Sequence, residues 1–193
     1  MNVIRTRQLQ NFFSVAILVF SFICSFLTYR AETADPPDLE YRIKAAFLFN
    51  FAKFVDWPNH DASSTGPKAF TLCISGDNPF GELLDTVSVT TAIKGKKVIV
   101  KYLEQPCSPE KCNIMYVGDT KPAQIKETLK CLGSDPILTV GESSNFNDLG
   151  GIIRFYLDND RVKFEINREA AENRNLMISS QLLRLAKITR GAR

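Results

Sequence analysis

"FTLCISGDNPFGELLDTV" (residues 70–87) decides the fold. Its first part, from Phe70 to Ile74, is a short apolar run stopped by Gly76, which reads as a buried strand. Pro79 then fits the first turn of a helix, where a missing N–H costs nothing, and Phe80, Leu83, Leu84 and Val87 recur at helical spacing. The alternation continues outward: "KKVIVKYL" (96–103) and "CNIMYVG" (112–118) read as strands, "KPAQIKETLKCL" (121–132) as a helix and "PILTVG" (136–141) as a strand. Strands separated by helices predict a largely parallel sheet covered on both faces. Beyond the loop at 142–151, "IIRFYL" and "RVKFEIN" flank Asp158, Asn159 and Asp160. The second of these runs alternates apolar and charged residues, as a strand of an antiparallel hairpin does. "SSQLLRLAKI" (179–188) closes the chain as a helix capped by Ser179 or Ser180, with Leu182, Leu185 and Ile188 facing the body. The fold class is therefore α/β: one layered domain, its mixed and mostly parallel sheet flanked by helices, with a C-terminal antiparallel hairpin at one edge.

Upstream, "YRIKAAFLFNFAKFVDWP" (41–58) reads as a helix over 41–56 that is ended by Pro58. Its wide apolar arc carries Tyr41, Ile43, Ala45, Phe47, Leu48, Phe51, Ala52, Phe54 and Val55, and Arg42, Asn50, Lys53 and Asp56 take the remainder. That many polar residues excludes a membrane span. Two residues break the pattern: Lys44 lies inside the apolar arc and Phe49 among the polar residues. Lys44 is expected to snorkel outward from the first turn. Phe49 is either covered by a loop or, with Asn50 and Lys53, forms a surface for a dimer or partner.

The chain has 193 residues, enough for one domain of ordinary size. Arg5 and Arg7 precede an uncharged apolar run from Phe12 to Leu27, so residues 1–30 read as a signal peptide or a retained signal anchor. The basic residues keep the N-terminus cytoplasmic and export the rest, to the periplasm in a Gram-negative cell. Residues 31–38, with Pro36 and Pro37, are a linker, and the domain runs from 39 to 190. The formal charge is +3, and removing the leader's Arg5, Arg7 and Arg30 leaves 21 basic and 21 acidic side chains. A body without net charge or a basic cluster offers nothing to a phosphate backbone, which excludes nucleic-acid binding.

Export places Cys73, Cys107, Cys112 and Cys131 in an oxidising compartment, where disulfides are the default. Four cysteines allow three complete pairings. Cys73 with Cys112 is feasible if their strands are neighbours, and Cys107 with Cys131 because both precede strands at one end of a parallel sheet. Geometry favours that set.

No catalytic constellation assembles. His60 is the sole histidine and sits in a loop, which rules out a histidine-based metal cluster or a Ser/His/Asp triad. "SGDNPFG" lacks the spacing of phosphate-binding loops, and Asp77 would repel a phosphate. Asp158-Asn159-Asp160 lacks the glycine of a calcium loop, with Lys163 standing in its place. No cofactor or metal is expected. The candidate loops for a small ligand are Gly76, Asp77 and Asn78 after the first strand and Glu142 and Ser143 after the fourth.

Three segments, "KAAFLFNFAKFVDWP", "FTLCISGDNPF" and "VKFEINREAAENRNLMISSQLLRLAKI", together with the pieces between them, closely resemble the YfiR family of bacterial periplasmic proteins over residues 41–188. The resemblance implies a non-enzymatic, disulfide-dependent homodimer. It implies restraint of an inner-membrane diguanylate cyclase through that enzyme's periplasmic sensor region, and sequestration of the restrainer by an outer-membrane lipoprotein. It also supports a Cys73–Cys112 bridge. The family's other familiar cysteine pair has no counterpart here, where Glu142, Ser143, Ser144 and Asn145 occupy its region. The alternative function is a periplasmic small-ligand sensor serving a sensor kinase or transport receptor.

Overall fold

The computed structural model describes residues 39–58, 69–105 and 111–189. The expected leader and linker, His60, the Ser63–Pro67 loop and Cys107 lie outside the described residues.

Helix α1 (Leu39–Phe51) leads through a short strand β1 (Val55–Asp56) to strand β2 (Ala69–Ser75). Helix α2 (Leu83–Thr90) and a tight hairpin of β3 (Ala92–Ile93) and β4 (Lys96–Leu103) follow. Then come β5 (Ile114–Val117), α3 (Pro122–Cys131), β6 (Leu138–Gly141), β7 (Ile153–Asp158) and β8 (Arg161–Asn167). The described chain ends in α4 (Arg168–Glu172), β9 (Met177–Ile178), α5 (Ser180–Leu185) and β10 (Lys187–Thr189).

Eight strands form one sheet in the order β10-β8-β7-β6-β5-β2-β4-β3. The pairs β2 with β4, β2 with β5, β5 with β6 and β6 with β7 are all parallel. β7 and β8 form the expected antiparallel hairpin, turning through Asn159 and Asp160, both at positive φ. Asp158-Asn159-Asp160 is thus a turn of the kind in which Asn and Asp tolerate the left-handed region.

Helices α1 and α2 cover one face of the sheet. Phe70, Leu72, Ile74, Tyr116, Val140, Phe155 and Phe164 are buried beneath them. Phe155 and Phe164 lie opposite each other in the hairpin register, and Phe51 sits on both, at centroid distances of 5.6 and 5.0 Å. Each such aromatic pair adds roughly 0.5–1.5 kcal/mol beyond the area it buries. Helix α3 covers part of the other face, where Met115, Val117, Ile125, Leu129, Ile137 and Phe146 pack with Cys73 and Cys112. Buried Arg174 donates to the carbonyls of Leu129, Leu132 and Asp135, satisfying the C-terminal end of α3.

Several expectations are corrected. The first helix stops at Phe51, and Val55–Asp56 pairs with β9 as a short antiparallel ribbon. Pro79 precedes its helix, which begins at Leu83. Ser179 caps the last helix, accepting from Leu182 N–H, but that helix ends at Leu185. Lys187–Thr189 instead extends the sheet in parallel beside β8, so the hairpin lies one strand in from the edge. The Lys187 ammonium lies 3.6 Å from buried Glu165, which helps to hold that strand. Leu182 is buried as expected, whereas Leu185 and Ile188 are exposed.

Candidate partner-binding face

Within Leu39–Phe51 the polar residues Glu40, Arg42, Lys44 and Asn50 do not share one side, so the sequence of α1 does not fix which side faces inward. The structure buries Lys44, Ala45, Leu48, Phe49, Phe51 and Ala52. Phe49, expected under a loop or on a surface, is 4% exposed and packs in the core beneath α1. It cannot serve as a docking residue in this conformation. Asn50 and Lys53 are exposed, and the Lys53 ammonium donates to Asn50 Oδ1 at 3.1 Å.

Lys44 fixes the helix in this orientation. Its side chain does not snorkel but is 2% exposed, and its ammonium donates to Glu40, one turn back, and to Glu142, which directly follows β6. The Tyr116 hydroxyl donates to the other oxygen of Glu142 at 2.6 Å. The Tyr41 ring centroid lies 4.4 Å from the ammonium, and Phe80 packs edge-on against both Tyr41 and Tyr116. Burial alone would lower the Lys44 pKa, but the hydrogen bonds it donates to Glu142 and Glu40 outweigh it and hold the pKa above the ordinary lysine value. Burial, reinforced by the Glu142 charge, raises the Tyr116 phenol in turn. The network ties α1 to the carboxyl end of the sheet.

With that side turned inward, Leu39, Ile43, Ala46 and Asn50 fall on the outer face at spacings of four, three and four. Leu39 is 66% and Ile43 39% exposed. They line a groove of about 560 Å³ together with Arg42, Phe47 and, from α2, Leu83 and Val87. Ile43 was expected to face the body and does not. A trough between two helices, apolar along its floor with Arg42 and Asn50 at its margin, is suited to receiving part of another protein.

The loops considered for a small ligand are packed against protein. Gly76 has φ +78°, and a side chain there would meet the Asp119 carboxylate at 2.7 Å. A side chain on Gly118 would strike the Asp77 carbonyl at 1.9 Å, so the loops after β2 and β5 press directly together. Asn78 folds its own turn, accepting from Phe80 N–H and donating to the Gly81 carbonyl. The Phe146 ring fills the space between Gly141 and Gly151, and Ser143 donates to Asn145 in the turn that carries it. Among the described residues no group of three His, Cys, Asp or Glu side chains is placed to hold a metal ion.

Cys73 and Cys112 form a disulfide with a Cα separation of 5.8 Å. Their strands are neighbours, Cys73 pairing with Met115 in register. Cys131 is disulfide-bonded too.

Against known families, the model described as YfiR/HmsC-like matches residues 41–187, from the first turns of α1 into β10.

Proposed function

The chain belongs to the YfiR/HmsC-like family, and on that premise we propose that it is an exported, non-enzymatic regulator that binds an inner-membrane diguanylate cyclase and lowers cyclic di-GMP. The family match, which spans almost the whole described domain, carries this reading. The family acts in the periplasm as regulators of diguanylate cyclase signalling, and the expected leader of residues 1–30 supplies the route there.

In this reading the outer face of α1, with Leu39, Ile43, Ala46 and Asn50, receives the periplasmic region of the cyclase, and Lys53 flanks the contact. Restraint follows if the inactive sensor state is bound better than the active one. A tenfold drop in the active fraction needs a preference of only about 1.4 kcal/mol, within reach of one well-buried aliphatic anchor. An outer-membrane lipoprotein that occupies the same protein would relieve the restraint by mass action.

Binding between the purified protein and the periplasmic region of its cyclase tests the surface. Ile43→Glu, at an exposed position, is expected to weaken binding at least tenfold and leave folding intact. Equal affinity of the variant rejects this face.

A further inference from the structure

Leu39, Ile43, Ala46 and Asn50 are separated by four, three and four residues. That alternation is the seam of a coiled coil, whose mean period of 3.5 keeps side chains on one line as two helices wind about each other. The side chains that hold α1 to the sheet, Lys44, Ala45, Leu48 and Phe51, lie on the opposite side of the helix. The seam is therefore left to face outward. Ala46 stands in its middle, where a small side chain lets another backbone approach closely. Leu83 and Val87, four apart on α2, supply a second wall. Two walls with helical spacing mesh with the ridges of a third helix, whereas an extended segment would present a contact at every second residue.

Charge adds a second requirement. Arg42 is the one charged residue that lines the trough. It is exposed and forms no ion pair among the described residues. The carboxylates of the same two helices are engaged elsewhere, Glu40 with Lys44 and Asp85 with the Tyr102 hydroxyl. A guanidinium beside an apolar seam occupies the place where coiled coils carry their interhelical ion pairs. It takes a carboxylate through two parallel hydrogen bonds.

Resting on the reading that this face receives the cyclase, we propose that the element received is an amphipathic helix bearing a carboxylate opposite Arg42. The 13 residues of α1 span about 20 Å, so the incoming helix matches them with three to four turns. Its apolar stripe covers Leu39, Ile43 and Ala46, and the ion pair at the margin selects the partner and sets its register.

The test measures binding of the purified, disulfide-intact protein to the periplasmic region of its cyclase. Arg42→Glu, Arg42→Ala and Ile43→Glu are compared with wild type, each checked by circular dichroism and thermal unfolding. Arg42→Glu is expected to weaken binding roughly tenfold by setting like charges together, and Arg42→Ala about threefold, with the fold unchanged. Acidic residues of the cyclase region are then replaced by arginine one at a time. One such replacement is expected to restore the binding of the Arg42→Glu protein. Alanine substitutions on either side of that residue are expected to weaken binding at positions three and four apart. Undiminished binding by both Arg42 variants overturns the proposal, as does the absence of any rescuing replacement or sensitivity at every second position. The helix and the face fail separately. If Ile43→Glu weakens binding and neither Arg42 variant does, the face stands and the acidic helix falls; full binding by Ile43→Glu removes the face and the helix with it.

Discussion

Replacing Lys44 by methionine removes the cation from the network beneath α1 while keeping most of its volume, so the cavity term is small. The ammonium side chain is 2% exposed, whereas those of Glu40 and Glu142 are 25% and 28% exposed. Deleting one member of a fully buried pair costs about 3–5 kcal/mol. Partial hydration of the two carboxylates places the expected loss near the lower end, about 3 kcal/mol at pH 7. For a domain of this size that lowers Tm by roughly 6–12 °C. Urea unfolding of the oxidised protein, read by circular dichroism, measures it.

The pH dependence supplies an independent sign. The folded-state pKa of Lys44 is raised, because hydrogen bonds to Glu142 and Glu40 outweigh the burial that lowers it. Its contribution is therefore complete below the unfolded lysine pKa of about 10.4, and is lost as pH rises through the folded value. The gap between wild type and Lys44→Met stays constant from neutral pH to about pH 10 and narrows above it. A variant within about 0.5 kcal/mol of wild type at pH 7, or a gap that widens in alkali, refutes the reasoning.

Tyr116→Phe deletes the hydrogen bond to Glu142 and is expected to cost about 1–2 kcal/mol at pH 7. The phenol is raised by burial and by the Glu142 charge, so its contribution is present below about pH 10 and lost above. The variant accordingly loses stability less steeply in alkali, which a pH series of urea midpoints reads out. The Cys73–Cys112 bridge spans 39 residues. Loop-closure entropy gives about 4 kcal/mol for a loop of that length, so the Cys73→Ala/Cys112→Ala protein has a clearly lower urea midpoint, and a loss under about 1 kcal/mol contradicts the estimate. Gly118→Ala sets a methyl group 1.9 Å from the Asp77 carbonyl. It is expected to cost about 2–3 kcal/mol by prising the two loops apart, and calorimetry showing an unchanged Tm rejects that packing.

Local periodicity carried most of the architecture. "FTLCISG" and "PILTVG" are short apolar runs between turn residues, and they could only be buried strands once helical spacing appeared between them. A Cys73–Cys112 bridge was feasible only if their strands were neighbours, with support from the family resemblance, and the parallel pairing of β2 with β5 supplies that neighbourhood. The face of α1 was not legible for a related reason: Phe49 lies away from Phe47 and Phe51, and Glu40, Arg42, Lys44 and Asn50 are spread round the helix, so apolar periodicity has no strong phase. The deciding contact runs from Lys44 to Glu142, 98 positions away. One local signal was present, a glutamate four residues before a lysine that interrupts an apolar arc. At the C-terminus, "LRLAKI" has helical spacing, but Ala186 is extended and pairing with β8 claims the last three residues. Tertiary pairing there overrode local propensity.

If the protein restrains a membrane cyclase, cellular cyclic di-GMP must respond to deletion of its gene. Deletion is expected to raise cyclic di-GMP several-fold, and the wild-type gene to restore the original level where an equally exported Ile43→Glu form does not. Levels that stay unchanged when the gene is removed, under conditions where the cyclase is present, contradict that restraint.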